Sequence, residues 1–474
     1  MKRHKVVLYN PDAVFYTMPL ALVALGSALD PAKYEVRILD GRLERDPVGA
    51  VLRESADALC LGVTVLTGRP IHDALRITRA AKARRPDLPI IWGGWHPSLF
   101  PADTLAEPTI DVTVQGQGEV TFAEIVERLA SGDSLGPEGA RVAGTTSRVN
   151  GAVVQNPPRP LTDVNKLPPH DYRFIDIERY YRLKEQRQLD YISSTGCHFR
   201  CAFCADPFVY NRKWVGLDPV RMGEEIEALW RQHRFDDLSF QDETFFTYKK
   251  RVVGIAEEFL RRGLKFTWTG TLRGDQGFRL TDDVLELCVR SGLRRVMIGV
   301  ESGSQAMLDW MKKDVTIEQI IDSAEKCVRH GIGAIFPFIV GFPGEPPESV
   351  QATLAMVKRL RAMSPHFETP IFYFKPYPGS QITAEVVRRG YQLPKTLEEW
   401  ADFDIIGSSG PWVGPDTYEL IERFKFYNRF AWGPETWLRW PIQRLARWRC
   451  GRDFYKLPLE KTMIERLKPL PRLS

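Results

Sequence analysis

The sequence predicts an α/β protein in which a doubly wound N-terminal domain precedes a partial (β/α)6 TIM-like barrel and a short, mainly helical C-terminal region. Short apolar strands alternate with helical stretches over residues 1–130. The alternation resumes at Tyr191 and gives about six strand–helix units, enough for a partial barrel. Apolar types make up 43% and charged types 26% of the 474 residues, a composition typical of globular proteins.

The N-terminal domain is predicted over residues 1–135. Its strands are HKVVLYNP, YEVRILDG, ALCLGVTV, PIIWGG and VTVQGQGE, and helices such as IHDALRITRAAKA and FAEIVERLA lie between or after them. The continuous apolar run ALCLGVTV indicates a strand that is buried on both faces. Alternation of this kind predicts a parallel sheet with helices on both sides.

Three further regions follow. Residues 136–185 are rich in Gly, Pro and polar types and are interpreted as a linker, with a hairpin predicted at SRVNGAVV because Asn150-Gly151 is a turn signal. Residues 186–392 form the predicted barrel, with strands YISSTG, DLSFQD, KFTWTG, RRVMIGVES, AIFPFIVGF and IFYFKPYP. Residues 393–474 form an aromatic and basic helical extension.

The bulk properties narrow the class of protein. The net charge of +5 is small for this length, and no long basic run points to nucleic acid. No apolar run is long enough for a signal peptide core or a membrane span, so we expect a cytoplasmic protein. The seven cysteines are odd in number and four are scattered singly, which argues against a disulfide framework.

The other three cysteines form the most informative motif. Cys197, Cys201 and Cys204 follow the first predicted barrel strand with C-x3-C-x2-C spacing. Three thiolates on one short loop can bind three irons of a cubane cluster and leave the fourth iron open, as a catalytic site requires. A structural zinc site would need a fourth ligand, and Cys288 and Cys327 lie within helical patterns. Chance clustering of so few cysteines is the weakest alternative.

The motif C-x3-C-x-aromatic-C after the first strand of a half-barrel resembles the radical S-adenosylmethionine (SAM) superfamily. The resemblance implies a [4Fe–4S] cluster, SAM bound to the open iron, an external electron donor and formation of a 5′-deoxyadenosyl radical. It also implies that Phe203 lies near the adenine, that Asp242 and Glu243 receive the SAM amino group, and that Arg273 meets its carboxylate.

Further strand ends carry the same resemblance. The sequence IGVESGS, with Glu301 and Ser302, resembles a family motif that lies close to SAM, and Gly341 would allow close approach of the adenosine. Each residue has an alternative interpretation, since acidic groups cap helices, glycines turn chains and an arginine carries surface charge. Their joint occurrence at successive strand ends favours the SAM site.

The N-terminal domain resembles the cobalamin-binding domain of a radical SAM subfamily that includes the anaerobic magnesium-protoporphyrin ester cyclase and hopanoid and antibiotic C-methylases. The resemblance covers residues 1 to about 390 and implies that Rossmann-like strand ends line the cobalamin, namely Thr64, Gly93, Gly94, His96, Gly116, Gly118 and Glu119. The cobalt-ligating D-x-H-x-x-G motif is absent. His96 is expected to hydrogen-bond within its loop. The alternative is a module that only supports the barrel.

The C-terminal region contains Trp432, Trp437, Trp440 and Trp448 among the arginines Arg439, Arg444, Arg447 and Arg449. Interleaved Trp and Arg suit the interface of an anionic membrane, and we expect peripheral contact with the inner face of a membrane. A helix that buries Trp and exposes Arg is an equal alternative.

These features together predict cobalamin-dependent radical C-methylation of an unactivated carbon in a small-molecule or lipid-like substrate, without assigning catalytic residues. Oxidative cyclisation or rearrangement without methyl transfer is one alternative. A non-catalytic iron–sulfur or cobalamin-binding regulator is another.

Overall fold

The structure is a computed structural model that describes residues 3–14, 16–133, 141–403, 409–433 and 439–467, without the side chains of residues 464–467. It divides into two compact units. Unit 1 comprises Met1–His198, Ala205–Leu238 and Val387–Ile405, and unit 2 comprises Phe199–Cys204, Ser239–Val386 and Ile406–Ser474.

Strands and helices alternate through the first half of the chain. The strands are β1 His4–Asn10, β2 Tyr34–Asp40, β3 Ala58–Thr64, β4 Ile90–Gly93, β5 Val112–Val114, β6 Thr145–Val149, β7 Ala152–Gln155, β8 Gln188–Tyr191, β9 Ser194–Gly196, β10 Trp214–Gly216 and β11 Asp237–Phe240. The helices are α1 Leu20–Ser27, α2 Pro47–Glu54, α3 Pro70–Arg84, α4 Trp95–Leu99, α5 Pro101–Thr104, α6 Glu119–Ala130, α7 Ile177–Lys184, α8 Asp206–Val209 and α9 Pro219–His233.

The second half continues the alternation and then becomes helical. Its strands are β12 Thr267–Arg273, β13 Leu293–Gly299, β14 Gly333–Ile335, β15 Phe338–Val340, β16 Phe367–Glu368 and β17 Ile371–Tyr373. Its helices are α10 Lys249–Arg261, α11 Gly274–Arg279, α12 Asp282–Arg290, α13 Gln305–Trp310, α14 Ile317–Arg329, α15 Pro347–Met363, α16 Gln381–Arg388, α17 Leu397–Phe403, α18 Pro415–Ala431, α19 Trp440–Arg452 and α20 Leu459–Leu467.

Unit 1 contains a seven-stranded sheet in the order β2-β1-β3-β4-β5-β6-β7. Its first five strands are parallel, as the sequence predicts. The last two form the predicted hairpin, with Asn150 and Gly151 at positive φ angles of 51° and 83° in the turn. Residues 145–155 fall within the predicted linker, but β6 pairs antiparallel with β5, and the hairpin therefore extends the sheet.

The central parallel strands of this sheet are buried on both faces. Successive side chains of a strand point to opposite sides, and each side packs into an apolar core. Val7 and Tyr9 of β1 contribute to one apolar core, whereas Val6 and Leu8 contribute to the other. Helix α17 completes the first core with three buried side chains, Leu397, Trp400 and Ala401. The sequence pattern assigned these residues to the C-terminal extension, since a short apolar helix does not reveal which core it joins.

Unit 2 contains the parallel strands β12, β13, β14 and β16, which are neighbours in that order, with helices between them in the chain. The predicted strand AIFPFIVGF is interrupted at Pro337, which has no N–H to donate to a sheet ladder. It forms β14, which pairs with β16, and β15, which pairs with β17. Of the helices in the described part of the chain, none is both long and apolar enough to cross a membrane.

Leu61→Ala is expected to destabilise unit 1 by about 2–5 kcal/mol, because it leaves a cavity at a fully buried position of the central strand β3. Urea unfolding followed by circular dichroism measures the loss. Val153→Ala in β7, where the side chain is 48% exposed, is the matched control and should change stability little. Equal effects of the two substitutions would contradict the assigned core.

Candidate functional site

The residue before the cysteine motif is held by a small antiparallel ladder in unit 1. Strand β9 pairs with β10, and Gly196 lies opposite Trp214. Gly196 has φ +89°, and a Cβ atom there would lie 2.3 Å from the carbonyl oxygen of Lys213. Only glycine satisfies both constraints, so the ladder defines where the chain enters Cys197.

The cysteine loop is anchored in unit 2 by hydrogen bonds to distant segments. The N–H of Ala202 donates to the carbonyl oxygen of Met311 at 2.7 Å, and the carbonyl of Ala202 accepts from the N–H of Ile382 at 3.0 Å. Arg200 forms an ion pair with Asp314 at 2.8 Å. The residue between Cys201 and the aromatic position is therefore fixed on both of its backbone polar groups.

The cysteines of the motif differ from the other cysteines of the chain. Cys197, Cys201 and Cys204 are unbridged and partly exposed. Burial raises the pKa to about 12 for the thiols of Cys60, Cys288 and Cys327, and to about 11 for that of Cys450. Because thiolates are the metal-binding form, the loop carries the cysteines suited to ligation.

The three cysteines of the motif fit a cluster of several irons. No set of three or more His, Cys, Asp or Glu side chains in the described residues is arranged to hold one ion. A cubane cluster takes each cysteine on a different iron, and its ligands need not converge on a single point. The donor set of three thiols on one loop fits a [4Fe–4S] cluster with an open iron.

Arg273, at the end of β12, contacts the cysteine loop. Its Nη1 lies 3.3 Å from Sγ of Cys201, and its guanidinium stacks 3.7 Å above the ring centre of Phe199. Nε donates to Asp275 at 2.9 Å, and Nη2 donates to the carbonyl of Lys313. The predicted contact of Arg273 with the SAM carboxylate remains a prediction, but in this structure all three of its nitrogen atoms have protein partners.

Glu301 forms a buried ion pair that the sequence analysis missed. Its Oε1 lies 2.7 Å from Nζ of Lys313, which is itself 5.7 Å from the ring centre of Phe203. Glu301 has φ +68°, and a Cβ atom at Gly299 would lie 2.7 Å from its Oε1. The run Lys312-Lys313-Asp314 is typical of an exposed charged turn, so the pattern gives no signal that Lys313 is buried.

Ser302 is turned into the interior of unit 2. Its side chain is fully buried, and its hydroxyl hydrogen-bonds the hydroxyl of Thr353 at 3.2 Å and accepts from the N–H of Ser304 at 3.1 Å. A Cβ atom at Gly303 would lie 2.4 Å from the carbonyl oxygen of Ala352. Ser302 and Gly303 thus pack the loop against helix α15, and contact of Ser302 with SAM stays a prediction.

The loop after β15 folds around a carboxyl group. Oε2 of Glu345 accepts from the N–H of Gly341 at 2.6 Å and of Phe342 at 3.2 Å. Its Oε1 is buried without a hydrogen-bond partner, and burial raises the pKa of this carboxyl. Gly341 has φ +75°, and its carbonyl accepts from Nε1 of Trp412.

Aromatic rings connect this loop to the cysteine motif within unit 2. The ring of Phe342 stacks on that of Phe374 at 4.6 Å and lies 6.5 Å from that of Phe203. Asp242 is buried behind the end of β11, and its carbonyl accepts from the hydroxyl of Thr271 at 2.8 Å, while Glu243 is partly exposed. The structure thus links Phe203, Arg273 and Glu301 through Lys313. The contact of Asp242 and Glu243 with the SAM amino group stays a prediction.

The predicted cofactor residues of unit 1 lie at the carboxyl ends of the neighbouring strands β3, β4 and β5. Gly94 has φ +95°, and a Cβ atom there would lie 2.9 Å from the backbone nitrogen of Val65 and 3.0 Å from Oγ1 of Thr64. Gly93 has only ordinary contacts at its Cβ position. The carboxyl edge of a parallel sheet is where such folds bind ligands.

The loop before α6 completes this edge. Gly116 has φ +70° and open space at its Cβ position, and its N–H donates to Oγ of Ser98 at 3.0 Å. A Cβ atom at Gly118 would lie 3.1 Å from Leu25. Burial raises the pKa of Glu119, the first residue of α6. The open side of Gly116 suits close approach of a ligand.

His96 is fully buried in unit 1 and belongs to its core. Its Nδ1 lies 3.2 Å from the hydroxyl of Thr67, and its ring lies 5.5 Å from that of Phe100 and 5.7 Å from that of Trp400. Nε2 has no hydrogen-bond partner, and burial lowers the pKa of His96 to about 4. The expected hydrogen bond within the loop of His96 is not the one formed, because His96 lies in α4 and its partner Thr67 belongs to the loop after β3. Any contact of His96 with cobalamin remains a prediction.

Two family models match consecutive parts of the chain. Residues 8–126 match the B12 binding domain, and residues 191–357 match the Radical SAM superfamily. The chain is a radical SAM enzyme with a B12-binding domain. Its cofactors are accordingly a [4Fe–4S] cluster, SAM and cobalamin, as the sequence predicts.

Relatives match this chain over most of their length. An uncharacterized methyltransferase of Pyrococcus horikoshii is 28% identical over 417 residues, which are 87% of this chain and 88% of the relative. The anaerobic magnesium-protoporphyrin IX monomethyl ester cyclase of Rubrivivax gelatinosus is 27% identical over 391 residues, 81% of this chain and 67% of the relative.

A solved structure confirms the fold. The radical SAM methyltransferase TsrM of Kitasatospora setae, solved with cobalamin and a [4Fe–4S] cluster, matches with a TM-score of 0.71 at 20% identity. The match covers 83% of this chain and 76% of that one. The mixed α/β architecture with parallel sheets is therefore that of a known protein of this class.

The free energy of unfolding is expected to fall by about 3 kcal/mol as the pH decreases from 6.5 to about 4, because the unfolded state takes up a proton at His96 that the buried imidazole in the folded state does not. The folded pKa lies below the unfolded one, so stability is lost towards acid. Urea unfolding at a series of pH values measures the slope, and His96→Phe should remove this part of it. An unchanged slope in the variant would contradict the assignment.

Proposed function

We propose that the protein catalyses cobalamin-dependent methylation of an unactivated carbon in a small-molecule or lipid-like substrate. The observation that carries the proposal is the occurrence of a B12-binding domain and the three-cysteine loop in one chain. The name of the Pyrococcus relative as a methyltransferase supports it.

The radical SAM domain would hold the cluster and SAM, and the B12-binding domain would hold cobalamin. When bound, the cluster and SAM supply a 5′-deoxyadenosyl radical, and cobalamin supplies the methyl group. Cys197, Cys201 and Cys204 would hold three irons as thiolates. Phe203, beside Phe342, offers an apolar surface for the adenine, which excludes water from the reacting atoms.

Polar groups of the radical SAM domain would orient SAM. The paired Glu301 and Lys313 present opposite charges close to Phe203, which suits the zwitterionic end of SAM. The unpartnered Oε1 of Glu345 can hydrogen-bond a polar group of the adenosine. Asp242 and Glu243 are proposed to receive the SAM amino group. In the B12-binding domain, Thr64, Gly94 and Gly116 are proposed to line the cobalamin.

The finer architecture belongs to the same proposal. The strands that follow the cysteine motif would complete a partial (β/α)6 barrel over residues 186–392, with residues 1–135 as the cobalamin domain, 136–185 as the linker and 393–474 as the extension. An external donor would supply the electron that reduces the cluster.

A second candidate is radical cyclisation or rearrangement without methyl transfer. The cyclase of Rubrivivax gelatinosus matches 81% of this chain at an identity close to that of the methyltransferase relative. The two candidates share cofactors and differ in their products. A regulator that binds the cofactors without catalysis is the third possibility, and it predicts no cleavage of SAM.

Anaerobically reconstituted protein with dithionite, SAM, cobalamin and a panel of candidate substrates is expected to form 5′-deoxyadenosine and S-adenosylhomocysteine together, because a second SAM must restore the methyl donor. Both products are measured by chromatography. Cys197→Ala should abolish deoxyadenosine, whereas Cys288→Ala, which changes a buried thiol outside the motif, should keep it. Formation of deoxyadenosine with no S-adenosylhomocysteine, whichever substrate is present, would favour cyclisation. Neither product with any substrate would contradict the radical assignment.

We also propose that helix α19 and the residues after it contact an anionic membrane surface. Trp440 and Trp448 are 51% and 50% exposed, and Leu457, Leu459 and Met463 are 74%, 76% and 59% exposed. These five exposed apolar side chains occur within residues 440–463, and so many in one short segment are unusual for a surface that faces only water.

The charges around this group are positive. Arg444 and Arg447 are exposed on the same face of α19 as the two tryptophans. The neighbouring acidic groups are neutralised, Asp453 by Lys358 and Glu460 by Arg449. Arg449 itself is buried under Tyr427 and Phe454, so it serves packing and not lipid contact, and Trp437 lies outside the described residues. Such a surface complements anionic headgroups.

The full chain is expected to sediment with vesicles of phosphatidylglycerol and to bind vesicles of phosphatidylcholine weakly. Replacing Arg444 and Arg447 by Gln should reduce partition into anionic vesicles by roughly 30-fold, at about 1 kcal/mol for each charge near the surface. Replacing Trp440 and Trp448 by Ala should also reduce it. Tyr248→Ala, which removes an aromatic ring that is 55% exposed elsewhere, is the control. Equal binding of all variants would contradict the proposal.

A further inference from the structure

We propose that Arg273 positions the thiolate of Cys201 for the cluster and raises the reduction potential of the cluster. The proposal rests on the cluster alone and is independent of methyl transfer. It concerns a residue that the sequence analysis placed at the SAM carboxylate. The first support is the distance of 3.3 Å between Nη1 of Arg273 and Sγ of Cys201, which is within hydrogen-bonding range for sulfur.

The guanidinium is held in place from several sides. Nε donates to Asp275, Nη2 donates to the carbonyl of Lys313, and the ring of Phe199 lies 3.7 Å from its central carbon. The arginine side chain is only 8% exposed. Because each of these contacts comes from a different segment, Nη1 has little freedom to move away from the thiolate.

The local charge balance leaves a positive charge facing the sulfur. Asp275 is shared by two guanidiniums, Arg273 at 2.9 Å and Arg279 at 2.5 Å. One carboxylate therefore neutralises only part of the two positive charges. Arg279 is 65% exposed and its charge is screened by water, whereas the charge of Arg273 acts in a buried environment where screening is weak.

A positive hydrogen-bond donor at a cluster thiolate favours the reduced cluster, which carries one more negative charge than the oxidised cluster. Hydrogen bonds to the sulfurs and local charge are among the factors that set cluster potentials. Cleavage of SAM needs one electron from the cluster, and a less negative potential makes that electron easier for a donor to deliver. Arg273 would thus assist loading of the electron and would not touch the substrate.

The test is a reductive titration of the reconstituted full chain, followed by electron paramagnetic resonance, with iron content measured in parallel. Arg273→Gln is expected to shift the midpoint to more negative potentials, so that the ratio of reduced to oxidised cluster at the wild-type midpoint falls about tenfold, which corresponds to 59 mV for one electron. Arg279→Gln removes the exposed partner of Asp275, whose charge is screened by water, and should shift the midpoint much less than Arg273→Gln does.

A second variant keeps the test decisive if Arg273→Gln retains too little iron. Asp275→Asn removes the counter-charge of Arg273 and should shift the midpoint in the opposite direction, to less negative potentials. A merely structural role for Arg273 gives no such pair of opposed shifts. A wild-type midpoint in iron-loaded Arg273→Gln, or a midpoint in Asp275→Asn that does not become less negative, would overturn the proposal.

Discussion

The position of the cysteine loop depends on two backbone hydrogen bonds of a single residue, Ala202. Its N–H donates to the carbonyl of Met311 and its carbonyl accepts from the N–H of Ile382, so both backbone polar groups of this residue bind distant segments. A cluster that leaves one iron open needs three thiolates in fixed directions, and thiolates on a mobile loop would satisfy that need poorly. The charged contacts of Arg200 and Arg273 add to an arrangement that the backbone already defines.

The segment after β13 contacts the cysteine loop and the polar residues around it. The segment that contains Met311 and Lys313 supplies one carbonyl to Ala202, another to Arg273 and an ammonium to Glu301. This segment therefore connects Ala202, Arg273 and Glu301 through a few atoms. Its turn is tight, since both Lys312 and Asp314 have positive φ angles. The geometry of the site is therefore set by a loop that carries no recognisable motif.

Sequence patterns identified what is periodic and what is chemically rare. Parallel alternation, the Asn150-Gly151 hairpin and the spacing of Cys197, Cys201 and Cys204 all follow from local rules, and the two domains were predictable for that reason. Long-range partners were not. In the sequence Lys313 cannot be distinguished from a surface lysine, because its partner Glu301 is 12 residues away. The break at Pro337 is visible only from the different pairing partners of β14 and β15.

Helix α17, which follows the last strand in the chain, packs into the apolar core formed by the N-terminal strands and helices. Trp400 packs among side chains contributed by β1, β3 and α3, so the interior of unit 1 is incomplete until residue 403 has been made. At roughly 5–20 residues per second, a ribosome needs about 10–40 s to synthesise the stretch between His198 and that helix. During that interval the nascent unit exposes an apolar face. Biosynthesis therefore creates a period in which chaperone binding would protect the chain from aggregation.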